Sequence, residues 1–308
     1  MMGRVRPIAL LVVAGVAVSL VGCAGQAAAE IDLPAQDRAR WVMPLDEFQS
    51  ATMLDLPNYA ENLLVADCLS QDGIEWPIPW QPTDEASYLE PPANLSTFPA
   101  LTVDLALESG YRADFTPGWS GNSPESFDAL NAIATSTPGF EPLQRSCLDE
   151  ARKQVPTIEL SEATNRVWAL MYEAQVVADR APAVVEADAA WQKCMKDAGY
   201  IAVPASPLSD DEWMPTEALL AELGIPNRWQ EGDGAPENAL IPQEIDLAVD
   251  DATCRESSGW SEEMYQAIWD AQADVVSAHA DELVRIRDGW QVDRESILAI
   301  IAAHAPAH

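Results

Sequence analysis

The apolar positions of the C-terminal third recur at helical spacing. From Ser261 onward, Met264, Ile268, Ala271, Val275, His279, Leu283, Ile286 and Trp290 step by three or four, which is one face of an amphipathic helix. The spacing predicts a single long helix from Ser261 to a break near Gly289, with 292–303 as a further short stretch. Similar stripes predict helices upstream. Ser161 can cap one over 161–180, with Val167, Leu170, Met171 and Ala174 inward; Pro182 opens another that ends after Cys194. A short helix is expected over 216–223, and one from Pro242 to Cys254 with Ile245, Ala248, Val249 and Ala252 inward. In the first half, 45–72 reads as two helices divided at Pro57, the second carrying Leu64, Val65, Cys68 and Leu69. The stretch 101–109 reads as a short helix, although its alternation also suits a strand, and 127–133 and 143–153 are further short helices. Over 74–124 and 204–238 prolines are dense and regular structure is scarce.

Two of these helices end in the same way. Gly199 is placed for the left-handed position after the Cys194 helix, so that Tyr200 can fold back onto Met195 in a Schellman stop. Cys68, Leu69, Gly73 and Ile74 repeat that spacing. Two copies of one helix end with a cysteine at the matching position suggest an internal duplication. Cys68, Cys147, Cys194 and Cys254 allow three pairings, and the repeated context favours pairing within each half, Cys68 with Cys147 and Cys194 with Cys254. Zinc is the competing use of four cysteines, but no Cys-x-x-Cys spacing is present and His279 is the only histidine outside the extreme C-terminus. The expected fold is mostly α: two disulfide-braced helical halves with long proline-rich loops and one long C-terminal helix.

The N-terminus changes the picture from fold to address. Arg4 and Arg6 precede an apolar run over 8–21 that is too short to span a bilayer, the form of an export signal. Leu20, Val21, Gly22 and Cys23 follow as a lipobox, in which the sulfur of Cys23 receives diacylglycerol before cleavage. An ordinary signal cut after Ala27, Ala28 and Ala29 is the plainer alternative. The expected organisation is therefore a signal peptide over 1–22, a lipid-anchored flexible tether over 23–40, a first helical half over 41–155 and a second over 156–308 ending in the long C-terminal helix.

Charge removes several classes of partner. Taking Arg4 and Arg6 from the 17 basic residues leaves 15 against 50 acidic, a charge of −35. Nucleic acid is a poor partner for such a surface. Composition does not make the chain disordered, since 48% hydrophobic residues and eleven tryptophans can bury enough apolar area to offset chain entropy. Acidity as a general habit of exported proteins from lysine-poor genomes explains it without a ligand, and Lys153, Lys193 and Lys196 are the only lysines.

Catalytic constellations are sparse. No Gly-x-Ser-x-Gly occurs, and His304 and His308 lie at the very end of the chain. His279 falls on the apolar stripe, where a satisfied core or boundary histidine is simpler than a catalytic base. Carboxylates are too many to inform; Glu75 beside Trp76 is the one to choose for a wall-glycan hydrolase, with Trp80 as a stacking platform, and a solvated loop acid is the simpler reading. Asp210, Asp211 and Glu212 lack the alternation and central glycine of an EF-hand and more simply favour the start of the helix that follows. No metal or other cofactor is expected. Trp76, Trp80 and Trp119 stand in proline- and glycine-rich loops, where exposed rings suit sugar or peptide binding and packed rings are the commoner outcome.

In the lipobox ending at Cys23, in Cys194 and Met195 with Gly199 and Tyr200, and in Ala248 to Cys254 with Glu256, the chain resembles the uncharacterised cysteine-containing lipoproteins of actinobacteria. The first half matches more loosely, with Leu69 where the second has a methionine. That group has no established activity, so the resemblance implies an address and a disulfide pattern and supplies no catalytic residues. Two functions follow as expectations. One is a lipid-anchored, non-catalytic envelope protein, held to the membrane through Cys23, that binds an envelope protein or wall component. The other is an extracytoplasmic hydrolase of wall glycan or peptide.

Overall fold

The computed structural model describes residues 31–49, 52–84, 101–111, 124–208, 214–225 and 241–306. Among them are ten α-helices and no strands: α1 (Thr52–Gln71), α2 (Val103–Ser109), α3 (Pro124–Ser136), α4 (Phe140–Ala151), α5 (Thr157–Ala178), α6 (Pro182–Asp197), α7 (Glu217–Leu223), α8 (Pro242–Ser257), α9 (Trp260–Ala278) and α10 (Ala280–His304). Local chemistry sets most of the boundaries. Thr102 and Thr216 cap α2 and α7 by accepting the N–H of Leu105 and Leu219, and Pro182 and Pro242 occupy the first turns of α6 and α8. Gly73 and Gly199 take positive φ, and behind each the two crossed bonds of the Schellman motif form. The N–H groups of Ile74 and Gly73 reach the carbonyls of Leu69 and Ser70, as those of Tyr200 and Gly199 reach Met195 and Lys196.

Three boundaries depart from the sequence pattern. Pro57 does not divide α1, which runs through it; Met53, Leu56, Tyr59 and Ala60 around it are fully buried, and that packing offsets the roughly 3 kcal/mol of an internal proline. Ser161 does not cap α5, which starts at Thr157; its hydroxyl donates back to the Thr157 carbonyl inside the helix. The long C-terminal helix breaks at His279 (φ −116°, ψ 18°) and not at Gly289, which lies within α10.

Both disulfides join cysteines within a half. Cys68 pairs with Cys147 and Cys194 with Cys254, at Cα separations of 5.7 and 5.6 Å. Around each bond the two helices run antiparallel, with matching contacts on either side. Seven residues before Cys68, Glu61 accepts from Arg152, which lies past Cys147; six residues before Cys194, Asp188 accepts from Trp260, which lies past Cys254. Beyond each glycine stop an aromatic ring folds onto the partner helix, Trp76 against Phe140 and Tyr200 onto Asp250. These correspondences give the duplication a three-dimensional basis.

The halves are not separate bodies. The cluster around Cys147, built from α1, α4 and the start of α5, is completed by Trp290, Ile297 and Ile301 of α10. α5 lies against α9, with Val167, Leu170, Met171 and Ala174 meeting Ala271, Val275 and Val276. Residues 31–49 form a strap along α9. The phenol of Tyr265 donates to the Val42 carbonyl and accepts the Asp37 N–H, Gln272 accepts the Leu45 N–H, Arg38 pairs with Glu262, and Trp41, Met43, Leu45 and Phe48 are buried. Ile31, the first described residue, already packs against this body, inside the span 23–40 expected as a tether.

Candidate functional site

The residues singled out in the sequence fall in different places. Cys23, Trp119, Asp210, Asp211 and Glu212 lie outside the described residues. Glu75 is exposed just past the α1 stop, and no second carboxylate is hydrogen-bonded to it. Trp76 is half-buried with its ring 5.0 Å from that of Phe140, so it is a packing residue; Trp80, 38% exposed, is the ring of that segment more open to solvent. The segment itself is pinned, since Gln81 donates its N–H to the Tyr59 phenol and Arg294 donates to the Thr83 carbonyl. Among the described residues no group of three or more His, Cys, Asp or Glu side chains could hold a metal ion, and no helix is long and apolar enough to cross a membrane.

The strongest polar constellation is buried. Asp251 on α8 is fully enclosed and accepts the indole N–H of Trp191, two bonds from Arg255 and the phenol of Tyr111 at 2.7 to 3.0 Å. The guanidinium of Arg255 also sits 5.1 Å from the Trp260 ring. Burial, then the Asp251 charge, pushes the Tyr111 phenol well above the usual tyrosine range, so it acts only as a donor. Each lone pair of the carboxylate has a partner, which describes a brace between α2, α6 and α8 and leaves no acceptor for a substrate proton. Asp188 is the one acid of this region with a raised pKa, through burial, against which the bonds from Ser206 and Trp260 act.

His279 is not the inward packing residue that its stripe implies. Its side chain is 30% exposed at the α9–α10 break, with Nδ1 3.1 Å from Glu282 Oε2 and 3.5 Å from Arg166 Nη2. Arg166 binds Glu282 with two hydrogen bonds and, with His279, holds the Glu282 carboxyl below its ordinary range. The cluster ties α5 to the break.

The outer face of α5 carries the feature that the sequence analysis missed. Opposite its buried stripe, Trp168 is 46% and Tyr172 61% exposed, one helical turn apart and therefore side by side. Ile158 and Val177 are exposed on the same helix, as are the acids Glu162 and Glu173. The signal was available: two aromatic residues at i and i+4 in a helix whose core face was already filled by Val167, Leu170, Met171 and Ala174. No protein-family model matches the chain, and no curated protein and no solved structure matches it.

Proposed function

We propose that the protein is a lipid-anchored, extracytoplasmic envelope protein that binds a partner and catalyses no reaction. The observation that carries the binding role is the exposed Trp168 and Tyr172 pair on α5, a helix that also exposes Glu162 and Glu173. Two aromatic faces on an acidic helix suit lysine or arginine side chains, through cation–π attraction and charge together. The partner class is therefore a cationic polypeptide segment of another envelope protein. The lipobox at Cys23 and the two disulfides support the address, because such bonds persist in oxidising compartments. The resemblance to actinobacterial lipoproteins points the same way.

Titration calorimetry with a synthetic lysine- and leucine-containing helical peptide tests the role. Binding is expected with the parent chain, and Trp168→Ala with Tyr172→Ala should weaken it by about tenfold or more, the loss typical of central aromatic anchors. An equal affinity of parent and double variant, at matched salt, would show that the peptide follows net charge alone and would overturn the proposal. Intact mass of the membrane-extracted protein tests the address: a mature chain without acyl groups on Cys23 sinks it.

A further inference from the structure

The strap fixes the place of Ile31, the first described residue, on the folded body. Ile31 packs, together with Ile286 of α10, against the cluster of Leu45, Phe48, Val167, Leu170, Val275 and Leu283. Ile286 also touches the cluster around Cys147, so this point sits at the junction of the two halves. Beside it Arg287 pairs with Glu47 at 3.4 Å, while Arg285 is exposed and makes no ion pair among the described residues. Leu33, two residues along the strap, is 40% exposed.

Eight residue steps separate Cys23 from Ile31. At full extension they span at most about 28 Å, at ~3.5 Å per residue. A leash that ran on to residue 40 would be roughly twice that length and would let the body turn freely. The bonds from Tyr265, Gln272 and Glu262 remove that freedom.

We infer that the sector formed by Ile31, Leu33, Arg285 and Ile286 is a bilayer-facing surface that rests on the lipid headgroups. The inference rests on the acylation of Cys23 proposed above. The occupant follows from the length of the leash and the place where it ends: acyl chains buried in the membrane keep Ile31 within a body's width of the headgroups. Exposed Arg285 supplies a guanidinium for lipid phosphate, and Leu33 an apolar side chain for the interface. The opposite consequence concerns the α6–α7 region, where Ile201 is 82% exposed and stands between Tyr200 and Ala202, which pack against a core cluster that shares no residue with the one Ile31 touches. That region points to the periplasmic or wall side.

The four body cysteines are oxidised in pairs, so one introduced cysteine can carry a dye. The membrane-extracted, acylated protein is prepared as Leu33→Cys, Arg285→Cys and Ile201→Cys and reconstituted into phosphatidylglycerol vesicles containing a headgroup-labelled quencher lipid. Loss of emission is expected at positions 33 and 285 and little at 201. A glycine-serine segment inserted after Glu30 should then restore much of the emission at both strap-side positions. Equal quenching at all three sites, or no response to the insertion, overturns the inference while leaving acylation intact. A mass spectrum without acyl groups removes the anchor reading itself and the inference with it.

Discussion

Trp260 donates its indole N–H to Oδ1 of Asp188 at 2.8 Å, and the two residues stand six positions beyond and six before the cysteines of the Cys194 to Cys254 bond. The carboxylate is partly buried, and burial raises its pKa above the ordinary aspartate value of 3.8. The folded state thus holds this proton more tightly than the unfolded chain. Between the ordinary value and the raised one the native state binds more protons, so this group makes stability fall as pH rises through that window. Asp188→Asn keeps an oxygen for Trp260 and removes the titration. Its melting temperature should therefore lack this acid-side contribution and should match or exceed that of the parent at pH 7. A variant markedly less stable at pH 7 would mean that the charge itself holds the helices together.

Asp251 and Arg255 are coupled differently. Both are enclosed, and removing the acid leaves a guanidinium buried without its main partner. Asp251→Ala should cost about 3 to 5 kcal/mol in urea unfolding. Adding Arg255→Met should recover part of that loss, since the orphaned charge is then gone. If the double variant is as unstable as the sum of the two single ones, the pair is not energetically linked.

The disulfides close long loops, with sequence separations of 79 and 60. Each should contribute roughly 4 kcal/mol in the chain-entropy model. Non-reducing peptide mapping should recover Cys68 with Cys147 and Cys194 with Cys254. Replacing either pair by serine should lower the urea midpoint substantially, and a bridge between Cys68 and Cys194 would contradict the duplicated arrangement.

Arg166 holds the Glu282 carboxyl below its ordinary value of 4.5. For an acid with a lowered folded pKa, the stabilisation is complete above the unfolded value and is lost as pH falls through the folded one. Arg166→Ala should cost less than about 1 kcal/mol at pH 7, because the pair is solvent-screened, and the difference from the parent should vanish as pH falls through the Glu282 titration. His279→Gln should be tolerated, with a cost below about 1 kcal/mol as at other partly exposed sites. A larger loss would restore His279 to the packed core.

Much of the fold was legible because it depends on short-range signals. The spacing from Cys68 to Gly73 and from Cys194 to Gly199 fixes two helix ends, and their repeated context favours pairing within each half among the three possible connectivities. The break at His279 was hidden because the apolar stripe continues across it in phase. What changes there is the partner: Met264, Ile268 and Val275 of α9 face α5 and α6, whereas Trp290, Ile297 and Ile301 of α10 cover α1. Periodicity records that a side is apolar and carries nothing about what covers it. The same limit hid Trp168 and Tyr172, since the core stripe of α5 drew attention from the opposite side of the helix. Trp76 and Trp80 illustrate the reverse, two rings in one proline-rich segment of which the first packs on Phe140 and the second stands more open to water.

The order of the cysteines has a consequence for how the molecule is made. Each bond joins neighbours along the chain, and of the four cysteines after Cys23 the first pairs with the second and the third with the fourth. For a chain delivered amino end first, the earlier pair can be oxidised before Cys194 has emerged, so an oxidase acting on thiols as they appear produces the native connectivity with no isomerase to correct it. α10 follows both pairs in the chain and lays Trp290, Ile297 and Ile301 over a helix already bolted to its neighbour. This helix thus docks onto a finished frame, and a chain truncated before it would carry both native bonds and an uncovered core.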